Sequence, residues 1–302
     1  MALPIPAYAD IARPPRMQRA GRAALRTLDH IAHDPLALVG LILLLAVVVC
    51  SIAAPLIAPY NPNYIDVAHR LQGPTGAHLF GTDELGRDLL SRVMYGGRVS
   101  LSVSAISIVC AATIGTALGG LAGLLGGVTE TVIMRVSDIL LSFPAILFAI
   151  VLIAFLGISL NNVVIAIAVA YIPSFIRVAY GSTLVASQQG YVEAARAVGT
   201  REWRLLSRHV FPNILPVVLV QFTLSLASAI LVESSLSFLG LGVQPPLASW
   251  GSMVSDGQLY FSQSAWGTIF PGLTIVLVVL GFNFVGDGFA DSLDPRLRLR
   301  TG

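Results

Sequence analysis

The sequence contains no lysine: all eighteen of its basic residues are arginine. That excludes a P-loop lysine, a Schiff-base lysine and pyridoxal-phosphate attachment, so the chain has no standard means of hydrolysing ATP by itself. Charge of either sign is scarce. Only 11% of the 302 residues are charged and 55% are hydrophobic, where a soluble domain carries roughly 25% charged residues. The mean hydropathy of +0.80 agrees. So few charges cannot cover a water-facing surface, which makes a bilayer the expected solvent. The net charge of +2 gives no footprint for nucleic acid. The two cysteines, Cys50 and Cys110, lie in apolar runs and are expected as small buried hydrophobes without a disulfide.

What the chain does have is long uncharged runs. Residues 36–65, 99–129, 139–176, 213–238 and 267–286 qualify, with Glu233 the one interruption in the fourth. The run 139–176 is too long for one span of ~20 residues and divides at Gly157-Ile-Ser-Leu-Asn161-Asn162. Six transmembrane helices are therefore expected, in an all-α integral membrane fold with both termini on one side. Prolines 144 and 173 fall inside spans three and four. Arginine placement sets the orientation. With the N-terminus in the cytoplasm, the inner segments hold Arg13, Arg16, Arg19, Arg22, Arg26, Arg135, Arg196, Arg201, Arg204, Arg208, Arg296, Arg298 and Arg300. The outer segments hold only Arg70, Arg87, Arg92 and Arg98. The N-terminus reads as a basic arm before an uncleaved first helix, not a signal peptide. Residues 1–98 form this arm, the first helix and an outer loop; residues 99–302 form a five-helix core.

Within that core Gly115, Gly119, Gly123 and Gly127 recur every four residues in span two, a stripe expected to pack closely on another helix of the same subunit. Glu233, followed by Ser234 and Ser235, is an intramembrane acid. It either lines or gates a translocation path, or pairs internally with an arginine or backbone group. Arg177 is expected to snorkel or to meet a carboxylate. Gly81 to Asp88 imitates phosphate-loop spacing but has no lysine, and Asp83 and Glu84 would repel phosphate. His30 and His33 beside Asp34 suggest no metal site, and no catalytic motif is present.

Residues 187–212 form the longest inner loop and the most patterned. Tyr191–Val198 predicts a short helix ended by Gly199 at the C′ position. Thr200 is expected to cap a second helix with Glu202 in its first turn, and Pro212 and Pro216 to open the next span. The resulting elbow has a basic face (Arg196, Arg201, Arg204, Arg208) and an apolar face (Val198, Trp203, Leu205, Leu206), suited to docking in a groove of a soluble protein.

Glu193-Ala194-Ala195, then Gly199, then His209-Val210-Phe211-Pro212 resembles the EAA loop of ABC importer permeases. The general pattern has Ile and Leu where His209 and Phe211 stand. FGTDELGRDLLSRVMYGGRVS (80–100), SFLGLGVQPPLASWG (237–251) and GDGFADSLDPR (286–296) resemble the dipeptide/oligopeptide/nickel branch, specifically its second membrane subunit, with Phe289-Ala290 in place of a common Leu-Arg pair. The resemblance implies an ABC type I importer permease fold in a bacterial inner membrane. It implies coupling through Glu193, Ala194, Ala195, Arg196, Gly199, Trp203 and Pro212, and no cofactor on this chain, with ATP and Mg bound by partner ATPases. The implied partners are a homologous second permease, two ATP-binding subunits, an extracytoplasmic substrate-binding protein and lipid. The implied cargo is di- or oligopeptides, with nickel or another small solute as the alternative. An integral membrane enzyme would need paired acids or clustered histidines on facing spans, and an ATPase-independent carrier would not need the elbow.

Overall fold

The protein is seen in a computed structural model that describes residues 34–293. The basic arm, His30, His33 and the last three arginines lie outside the described residues. Helices dominate throughout, and there is no named strand among the described residues.

Helix α1 (Pro35–Ile52) starts where Asp34 accepts the Leu36 N–H at 3.0 Å and proline occupies the first turn. An irregular outer segment follows. Helix α2 (Leu89–Leu125) is capped by Asp88, whose carboxylate accepts the Ser91 N–H at 2.8 Å. At 1.5 Å per residue its 37 residues reach roughly 55 Å, well beyond a hydrocarbon core of ~30 Å. Part of α2 therefore extends beyond the hydrocarbon, and the division drawn at residues 98 and 99 falls inside one continuous helix.

The third span differs from expectation. Helix α3 (Gly127–Leu141) and helix α4 (Ala145–Leu156) meet at 93° across Ser142–Pro144. Pro144 has no N–H to continue the ladder and its ring pushes Phe143 out of the helical region. Pro144 thus ends one helix and starts another, whereas Pro173 stays within α5 (Leu160–Ser187). The turn between α4 and α5 lies where the sequence places it: Gly157 has φ +89° and Ser159 caps α5. The elbow, α6 (Gly190–Ala197) and α7 (Glu202–Leu205), leads into α8 (Phe211–Phe238). Helix α9 (Trp250–Leu259) begins with a Ser249–Ser252 capping box, and α10 (Trp266–Leu293) closes the described chain. By length and composition five helices among the described residues can cross a membrane, and the count reaches the expected six if the bent α3–α4 pair is one broken span rather than a re-entrant loop.

Two cores hold these helices together. The larger joins α2, α4, α5, α8 and the elbow through Ile108, Ile153, Phe175, Leu206 and Leu236, all buried. The smaller surrounds Trp250, joining α1, the start of α2, α9 and α10. Trp250 is fully buried, and its indole N–H donates to the Val93 carbonyl at 2.9 Å. The cysteines fall outside both cores: Cys50 is half-buried and Cys110 exposed, because they occupy outward faces of helices whose solvent is lipid.

The most extensive helix contact is α2 against α5, and glycine makes it. A methyl group at Gly115 would lie 2.7 Å from the Ile172 carbonyl oxygen. One at Gly119 would collide with that of Ile176, and one at Gly123 would lie 2.9 Å from the Thr183 side chain. Gly127 does not belong to the stripe. It follows the break at Gly126, begins α3 with φ +57°, and has open space around its missing side chain. A spacing of four aligns residues only while the helix continues.

Candidate coupling site

The elbow is a tight, locally specified bend. Helix α6 ends in a Schellman closure: the Thr200 N–H donates to the Ala195 carbonyl at 3.1 Å and the Gly199 N–H to that of Arg196 at 3.0 Å, with Gly199 at φ +77°. Thr200 does not cap the second helix. Its N–H is committed to closing the first, and the extended residue before α7 is Arg201, whose carbonyl accepts the Arg204 and Leu205 N–H groups. Arg196 and Glu202 pair across the bend at 3.5 Å. Both are about half exposed, so this pair adds at most about 1 kcal/mol. Rigidity comes from Val192, Leu205, Leu206 and Val210, all with no exposed surface and all in the larger core.

The expected apolar face therefore divides. Leu205 and Leu206 point into the subunit, while Val198 and Trp203 stand 81% and 70% exposed at the tip. Around them Glu193, Ala194, Arg196, Gly199, Arg201, Arg204, Arg208 and Pro212 are exposed and Ala195 is half-buried. Small residues, a protruding indole and a cluster of arginines give a surface that another protein can enclose.

Pro212 does not separate the elbow from the span. It occupies the first turn of α8, and the backbone runs helically from Glu202 through a wide π turn at Leu206–Val210. Such turns insert one extra residue into a helix and recur at functional sites. In that turn the His209 Nδ1 is buried without a hydrogen-bond partner among the described residues. Sequence patterning gave no sign of the turn. Its consequence is mechanical: displacement of the elbow is transmitted to α8 without an intervening loop.

Glu233 lies on α8 with no exposed surface. Among the described residues neither an arginine nor a backbone group pairs with it. Ser237 donates to its Oε1 at 2.9 Å, Ser234 approaches its Oε2 at 3.4 Å, and Ser100 on α2 hydrogen-bonds to the same carboxyl. Ser235 faces elsewhere and donates to the Leu231 carbonyl. Ser237, one turn on from Glu233, was readable from spacing; Ser100 was not. The serines tie the carboxyl on α8 to α2. Arg177 meets Asp138 at 2.7 Å and Tyr180 donates to Glu130, so two polar ties hold α5 to α3.

On the opposite side of the molecule the false phosphate loop is closed by its own charges. Asp83 accepts the N–H groups of Leu85 and Arg87, both at 2.9 Å, and pairs with Arg87 at 2.6 Å and Arg92 at 3.3 Å. Desolvation, reinforced by the neighbouring Asp83 carboxylate, pushes Glu84 above its usual range. Desolvation does the same for Asp256, with a smaller push from Asp83 and against the pull of Arg92 and Arg87. Among the described residues no group of three or more His, Cys, Asp or Glu could hold a metal ion.

Residues 115–299 match the family described as the binding-protein-dependent transport system inner membrane component. The chain belongs to this family. Residues 26–74 match the N-terminal transmembrane domain of oligopeptide transport permease C. A probable D,D-dipeptide transport system permease protein of Escherichia coli K12 is 41% identical over 94% of this chain and 95% of its own length. A dipeptide transport system permease protein of Alkalihalophilus pseudofirmus is also 41% identical, over 89% of this chain and 88% of its own. A putative peptide transport system permease protein of Brucella abortus reaches 46% over 86% and 88%. The permease is thus an inner-membrane component of an ABC importer, built as an all-α type I permease and working within a larger transport complex.

Proposed function

We infer that this permease imports di- or oligopeptides delivered by an extracytoplasmic binding protein, in a pore shared with a second, related permease. Two partner subunits bind ATP and Mg, and this chain carries no cofactor. Both termini and the elbow face the cytoplasm, as the arginine distribution favours. The observation carrying the reading is the elbow itself: an exposed, Gly199-bent projection bearing Glu193 and Trp203, continuous through a π turn with a membrane-spanning helix. Closure of two ATPases around such projections would favour one arrangement of the spans over another, which is how nucleotide affinity becomes movement. Peptide cargo is supported by the names of the relatives, all at similar identity over nearly the whole chain.

The test is uptake of a labelled dipeptide into cells carrying Glu193→Arg or Gly199→Pro. Both variants are expected to insert normally and to lose uptake; normal uptake by either would overturn the coupling role. Orientation is checked separately with Trp203→Cys in a chain whose two native cysteines are replaced by serine. A membrane-impermeant thiol reagent is expected to label it only after the cytoplasmic side is opened.

A further inference from the structure

Two cavities meet at Arg98. Beneath it, within the membrane, a groove of about 410 Å³ runs between α1, α2, α8 and α10 and is walled largely by apolar side chains, Ile52, Leu101, Leu226, Ile230 and Phe282 among them. Above it, a cavity of about 630 Å³ has a mixed lining, with Tyr60, Asn61, Asn63 and Tyr95 set among prolines and small apolar residues. Arg98 borders both. Its depth follows from its neighbours. The adjacent Gly97 packs against Ser51, at the end of the apolar α1, so the guanidinium sits where hydrocarbon gives way to headgroups. Arg98 is exposed, and no carboxylate pairs with it among the described residues; its recorded contact is the Tyr95 ring, 5.9 Å away.

We propose that this paired site holds a phospholipid of the leaflet opposite the elbow, its phosphate on Arg98 and one acyl chain in the groove below. Polarity falls across Arg98 in the order it falls along a phospholipid: a mixed cavity carrying amide and phenol groups, then the cation, then a trough that is almost wholly apolar. Ser102 lies one turn below Arg98, about 6 Å along the axis, on the wall of the same groove, at the depth where glycerol esters follow a phosphate. Ser102 and Ala105 are small, which is what leaves the trough open. A peptide would leave the apolar trough empty, and a free anion would need neither cavity. An arginine at this depth without a protein carboxylate is expected to reach for headgroup phosphate.

The experiment is native mass spectrometry of the full-length chain, purified with whatever subunits accompany it and titrated with dioleoylphosphatidylglycerol. The wild type is expected to bind lipid saturably. Arg98→Gln should weaken that binding about tenfold, the loss of one charge-assisted hydrogen bond, and Arg98→Lys should restore most of it. Ser102→Phe keeps the charge but blocks the trough at an exposed position, and should weaken binding comparably. Inorganic phosphate should not displace the lipid. The proposal is overturned if the wild type shows no saturable binding, if Arg98→Gln or Ser102→Phe binds lipid like the wild type, or if phosphate displaces it. It is equally overturned if Arg98→Gln releases a companion polypeptide while the bound lipid stays unchanged, for then the cation serves a protein partner.

Discussion

Single side chains in this permease do their work by being small or by being satisfied. At Gly119 a Cβ meets the Ile176 carbonyl, so Gly119→Val must push α2 and α5 apart. The expected loss is about 1–3 kcal/mol, read as a lowered thermal midpoint of the detergent-solubilised chain. Gly127→Ala meets no neighbour and carries only the strain of a left-handed backbone, about 1–2 kcal/mol, without separating the helices. Glu233 makes the complementary case. Glu233→Gln keeps the volume and leaves acceptors and donors for Ser100, Ser234 and Ser237. It should retain both fold and uptake; lost uptake with an unchanged thermal midpoint would instead assign the carboxyl a part in transport. Glu233→Leu strands buried hydroxyls and should destabilise by about 1–3 kcal/mol. How far such roles were legible varies by residue. Spacing placed Gly115, Gly119 and Gly123 on one face, though it wrongly added Gly127, and it singled out Ser234 and Ser235 rather than Ser237 beside Glu233. It could not supply Ser100, because which part of α2 lies beside α8 is a property of the packed bundle.

At the scale of elements, breaks and continuities decide what can move. Pro144 turns the third span by 93° while Pro173 leaves α5 unbroken. The difference lies in their surroundings. Pro173 is buried among neighbouring helices, whereas Pro144 follows Ser142 and Phe143, whose N–H groups already turn back to close the end of α3. The bend of the elbow was readable from local chemistry, since Gly199 and the good helix formers before it dictate the Schellman closure, but the cap expected at Thr200 and the single apolar face were not found. The join of the elbow to α8 was not readable, because a π turn has no sequence signature comparable to a capping glycine. That join carries a prediction. Deleting Ser207 removes the extra residue of the turn and rotates the elbow by about 100° relative to α8. Uptake should be lost while the amount of protein in the membrane stays normal. Retained uptake would show that the elbow and α8 need no fixed angular relation.

For the whole molecule, the sequence has no lysine and no standard phosphate-binding loop, and the proposed importer takes its energy from partner subunits. Reconstituted by itself into vesicles, the chain is expected to show no accumulation of labelled dipeptide against a gradient; uphill uptake by the solitary chain would overturn the importer mechanism. The amino-acid sequence alone determined the bilayer as solvent, the apolar runs that become the candidate spans, the family and the bend of the elbow. These rest on composition, on apolar length and on residues acting within a few positions of themselves. Tertiary structure alone decided that the chain turns by 93° at Pro144, that Leu205 and Leu206 anchor the elbow while Trp203 projects, that Glu233 is enclosed by serines, and that Arg98 stands between two cavities with no carboxylate partner among the described residues. Each of these depends on what distant segments place beside a residue. In a chain this apolar nearly every helix face can be buried or can meet lipid equally well, so hydrophobic pattern cannot choose between them; close packing does.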